Sequence, residues 1–169
     1  MATYVITVIG DEQVGLVQSL ADAVSRAGGN WERSEMAELA GKFAGLVQVT
    51  LPDDRADELA DNLEGLEGLE ISVQKAEAES TVPEDSVAFR LELVGNDKPG
   101  IIQEITTALR GHGVTIERLE STVTDAPWHG GQLFECKATL RGPEVRMGPV
   151  KTELERIAGE LMVDLNLGV

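Results

Sequence analysis

The run Gly95-Asn96-Asp97-Lys98-Pro99-Gly100-Ile101-Ile102 joins a strand-like segment to a helix-like one. Its residue types suit a particular chemistry. The first turn of a helix presents N–H groups that have no intrahelical partner, together with the positive end of the helix dipole. Both favour a carboxylate. Glycine at 100 lets the backbone come close to a bound group. Asn96 and Asp97 carry oxygens that can accept hydrogen bonds from an ammonium group. One loop thus offers both halves of zwitterion recognition, with Asn96, Asp97, Lys98, Gly100, Ile101 and Ile102 as the candidate ligand-binding residues. The plain alternative is a strand-to-helix turn whose polar residues only cap the helix.

The same pattern occurs twice. Gly10–Arg33 and Gly95–Arg118 align without gaps at an offset of 85, and seven of 24 positions are identical. Average composition would give about one or two such identities. The chain therefore reads as two copies of one unit: residues 1–75, a polar linker at 76–86, and residues 87–169. The first copy's loop places Asp11, Glu12, Gly15 and Leu16 where the second has Asn96, Asp97, Gly100 and Ile101. It is the more acidic of the two and has no proline. If a ligand binds, the second loop is expected to contribute more, because Pro99 stiffens it.

The elements that hold these loops follow from periodicity. Tyr4, Ile6 and Val8, like Phe89, Leu91 and Leu93, alternate along one strand face. Leu16, Val17, Leu20 and Val24, and Ile101, Ile102, Ile105 and Leu109, mark one helical stripe. Pro99 suits a first helical turn, and Gly28 and Gly113 suit left-handed helix ends. Two strands are expected next in each copy, at 30–39 and 43–51 and at 114–124 and 132–140. A second helix and a last strand (69–75 and 162–167) complete each unit. The order is βαββαβ, the ferredoxin-like arrangement. The fold class is α+β: two units, each a four-stranded antiparallel sheet with two helices on one face.

Several chemistries find no support. His112 and His129 have no spaced partner that reads as a metal site. Cys136 alternates with Phe134 on a strand and reads as a small buried hydrophobe. Gly41-Lys42-Phe43-Ala44-Gly45 lacks the glycine spacing and the Ser or Thr of a phosphate loop. The acids at 53–70 form a solvated helix face without the order of a calcium loop. No catalytic residue, metal or cofactor is expected. Trp31 and Met36 read as core packing. Trp128, between Pro127 and His129, reads either as a contact residue for another surface or as part of its own sheet's cover.

The formal net charge is −16, with −11 in residues 1–82 and −5 in residues 83–169. A field of that sign opposes phosphate backbones and anionic membrane surfaces. Direct binding to nucleic acid or membrane is not expected. The single cysteine, with no apolar run long enough to span a bilayer and no signal-peptide pattern, leads to a cytoplasmic expectation.

These residues carry a family resemblance. The βαββαβ order with Gly95–Ile102 after the first strand resembles the ACT domain. The run Gly28–Val49 (GGNWERSEMAELAGKFAGLVQV), with Gln132-Leu133-Phe134 and the ending Glu160–Leu167, is similar to the glycine cleavage system transcriptional repressor family. The resemblance implies a regulatory protein, not an enzyme, that senses an amino acid, with glycine as ligand. It implies action on glycine cleavage and one-carbon genes through a DNA-binding activator of the LysR type. It also implies sheets paired through edge strands and a homodimer. The alternative is a detached allosteric subunit of an amino-acid biosynthetic enzyme.

Overall fold

A computed structural model describes residues 1–76, 85–127 and 130–168. The chain divides into two compact units, Met1–Ser80 and Thr81–Val169. Most of the expected linker, and Trp128 with His129, lie outside the described residues.

In the first unit β1 spans Ala2–Asp11, α1 Leu16–Arg26, β2 Asn30–Leu39, β3 Lys42–Leu51, α2 Ala56–Glu64 and β4 Leu69–Lys75. In the second, β5 spans Ser86–Asn96, α3 Ile101–Gly111, β6 Thr115–Asp125, β7 Gln132–Pro143, α4 Met147–Leu161 and β8 Val163–Gly168. The strand orders are β2-β3-β1-β4 and β6-β7-β5-β8, and every pairing is antiparallel. Both units are therefore βαββαβ with a four-stranded antiparallel sheet.

Each core lies between a sheet and its two helices. In the first unit Tyr4, Ile6 and Val8 meet Leu20, Val24, Leu59 and Leu63; in the second Phe89, Leu91 and Leu93 meet Ile105, Leu109, Leu154 and Ile157. Burying one such side chain contributes about 1.5–3 kcal/mol. Trp31 and Met36 pack against the first core from β2.

The ladder of β3 with β2 shifts register between Trp31 and Arg33, and that of β7 with β6 between Ile116 and Arg118. The residue left over in each is a glutamate that the repeat keeps, Glu32 or Glu117. Its carboxylate reaches across to the neighbouring strand. Glu32 accepts from Gln48 Nε2 at 3.1 Å and Thr50 Oγ1 at 2.9 Å, and Glu117 pairs with Arg141. The bulge bends the edge strand and increases its twist, so the repeated glutamate fixes a backbone feature.

One expectation needs correction. Pro99 is not in the first helical turn. The helix begins at Ile101, with Gly100 as its N-cap, and Pro99 stands in the preceding turn. A left-handed N-cap reverses the chain more sharply than a proline at the first helical position would.

Candidate functional site

Both strand-to-helix loops share one device. Gly15 caps α1 at φ 91° and Gly100 caps α3 at φ 96°, and neither helix has a side-chain cap. The carbonyls of the glycines accept the first helical bonds, from Ser19 N at 2.9 Å and from Glu104 N at 3.0 Å. Residues with side chains rarely adopt this conformation, so glycine is required. A Cβ at either position would meet nothing within 4 Å, so the space over the turn is open. The reading of the loop polar residues as caps therefore fails. Asn96 ends β5, Asp97 donates its N–H to the Gln132 carbonyl at 2.8 Å, and both side chains are exposed.

The remaining candidates divide by exposure. Lys98 is half-buried, whereas Asp11, Glu12, Gly15 and Gly100 are exposed. Leu16 and Ile101 are buried at 6% and 2% exposure, and Ile102 is half-buried against the core. Their side chains belong to the hydrophobic interior, so what they can offer a ligand is a backbone N–H. Beside the second loop, a depression of about 400 Å³ runs between α3 and α4, lined by Gly100, Gln103, Glu104, Thr107, Glu153 and Arg156 among others. Within it carboxylates and a guanidinium face one open volume. The depression thus presents both signs of charge to solvent. Among the described residues no group of three His, Cys, Asp or Glu side chains could hold a metal.

Residues 2–74 match the ACT domain family. The second unit repeats the element order, the strand order and the glycine-capped loop of the first. The chain is a tandem pair of ACT-type units. A solved structure of an unknown protein from Galdieria sulphuraria is similar along nearly the whole length: 32% identity, TM-score 0.91, covering 99% of this chain and 97% of that one. A protein assigned as a glycine cleavage system transcriptional repressor shares the fold, at 16% identity and TM-score 0.67, with 99% of this chain and 96% of that chain covered. No curated protein matches the sequence.

The two ACT units differ at their loops. In the first, Asp11 faces Lys42 across the β1–β3 ladder and the two side chains form an ion pair. The Asp11 hydrogen bond and charge hold the Lys42 ammonium above its ordinary pKa of 10.5. Glu12 donates its N–H to the Gly41 carbonyl at 3.1 Å. The acidic turn is thus tied to the turn between β2 and β3. In the second unit the matching register pair is Asn96 and Leu133, with no charge to neutralise. The sequence did not reveal the Lys42–Asp11 pair, because it depends on the register of a long ladder. Its only signal was a lysine at a glycine-bounded hairpin turn.

A second pair was also missed. His112, at the end of α3, places Nε2 2.5 Å from Glu153 Oε2 of α4. It joins the two helices, and its partner Glu153 also lines the depression beside Gly100. Cys136 is 2% exposed, and burial pushes its thiol above the ordinary 9.0. It is a core residue, as its alternation with Phe134 suggests.

Proposed function

We propose that this protein is a regulatory sensor of a small amino acid, glycine foremost. In this reading it acts on the expression of glycine cleavage and one-carbon genes by holding a DNA-binding activator protein. It is a cytoplasmic homodimer and catalyses no reaction. The observation that carries the ligand is the α3 N-terminus: a left-handed glycine cap, no side-chain cap, open space above, and exposed Asn96 and Asp97 alongside. A ligand carboxylate would lie on the first-turn N–H groups, and its ammonium against the two side-chain oxygens. The choice of glycine rests on the resemblance of Gly28–Val49 and on the fold shared with the assigned repressor.

Regulation requires that the ligand bind the free and partner-held forms with different affinity. The test is a gel-shift series on a glycine cleavage promoter fragment. The chain with the purified LysR-type activator should change the activator's band, and glycine should change it again. No effect of the chain on the activator–DNA band, with or without glycine, would overturn the partner reading.

A further inference from the structure

The open sheet faces of the two units, the sides away from the helices, differ in charge along their two central strands. In the first unit, one row across β2, β3, β1 and β4 reads Glu35, Leu46, Thr7 and Ser72, and the next reads Ala37, Ala44, Ile9 and Glu70. Leu46 is 53% and Ile9 45% exposed. The corresponding central positions in the second unit are Lys137, Glu92, Glu135 and Val94. The fold thus tolerates charge at three of these four places, and the uncharged centre of the first face is not imposed by it.

The two rows are also complementary in shape. A two-fold axis running across the strands between them lays one row of one copy over the other row of the next. Leu46 then sits over Ala44, and Ile9 over Thr7. The Glu70 carboxylate meets the Ser72 hydroxyl. Large side chains fall on small ones in both directions, as an isologous contact requires. The nearby cations are already neutralised, Arg33 by Glu35 and Lys42 by Asp11. The β1–β3 ladder runs ten pairs. At ~3.3 Å per residue and ~4.8 Å between strands, the face covers roughly 600 Å² before side-chain relief is counted. A stable interface uses about 800 Å² per partner.

We infer that the open sheet face of the first unit, centred on Leu46, Ala44, Thr7 and Ile9, packs on the same face of a second copy of this chain. The inference rests on the homodimer proposed above and replaces edge pairing as its contact. The test is the mass of the full chain by light scattering at tens of micromolar. Wild type should give twice 18.1 kDa. The double variant Ala44→Glu/Thr7→Glu, which copies Glu135 and Glu92 and sets both carboxylates on apolar residues of the other copy, should give a single-chain mass with unchanged circular dichroism. Its dimer dissociation constant should rise by about 100-fold or more, because charges are buried without partners. Thr7→Glu, copying Glu92, provides the same test if the double variant does not fold. Added salt should tighten the dimer, since two chains of charge −16 repel. A variant that stays dimeric would overturn the face and leave the dimer standing. A monomeric wild type would overturn both.

Discussion

Gly100 holds φ 96° with open space above it, so a side chain there is strained without clashing. Gly100→Val should cost about 1–2 kcal/mol of stability. It should also obstruct the ligand's approach to the α3 N-terminus. Asp97→Ala removes an exposed side chain and should change stability by less than about 0.5 kcal/mol. It should still weaken amino-acid binding by roughly 10- to 100-fold, the worth of one charge-assisted hydrogen bond. Calorimetry with both variants decides the matter, and unchanged affinity in both would place the site elsewhere. Cys136 gives a pH signature. Its folded thiol pKa lies above the unfolded value, so the protonated core is favoured and its contribution is fully present at neutral pH. That contribution is lost as pH rises beyond about 9. Urea midpoints at pH 7 and pH 10 should therefore fall further in wild type than in Cys136→Ala. An equal fall in both would show that the thiol does not report burial.

Gly10 shows how closely the elements meet. A Cβ there would stand 2.4 Å from the Gly68 carbonyl oxygen and 2.6 Å from Leu69 Cδ2, where β4 begins beside β1. Gly10→Ala should destabilise the first unit by about 1–3 kcal/mol, the usual cost of overpacking, measured as a lower urea midpoint. A midpoint equal to wild type would contradict the close approach. Much of this layout was legible in the residues. Alternation and turn composition located β2 at Asn30–Leu39 and β4 at Leu69–Lys75 with the bounds observed. Elsewhere backbone geometry prevailed over pattern. β7 runs to Pro143 rather than Leu140, since Ser86 to Asn96 of β5 supply partners along its whole length. The bulges at Glu32 and Glu117 were not visible, although the repeat kept both glutamates, because a register shift leaves no period in the sequence. At the loops, residue types suggested a ligand chemistry. The uncapped helix start at Gly100 and the tie between Asp11 and Lys42 needed coordinates, since both depend on φ angles and strand register.

At the scale of the whole molecule, charge restricts what the protein can touch. Each phosphate contact needs a cation, and a chain of net charge −16 with no basic cluster in its sequence opposes that approach. The purified chain alone should leave a promoter fragment unretarded at low salt. Preferential retardation over a control fragment would contradict the requirement for an activator. The tandem of ACT-type units accounts for the repeat, and the proposals above give the two units different roles. In this account the second loop binds the amino acid and the first sheet face binds another copy. The central claim, that the chain senses a small amino acid, is tested most directly by thermal unfolding of the intact protein with each of the twenty amino acids. A ligand present at one hundred times its dissociation constant stabilises the folded state by about 2.7 kcal/mol, an upward shift of several degrees for a chain of this size. The account predicts that glycine raises the midpoint by that order and that large side chains do not. A midpoint unmoved by all twenty would contradict it.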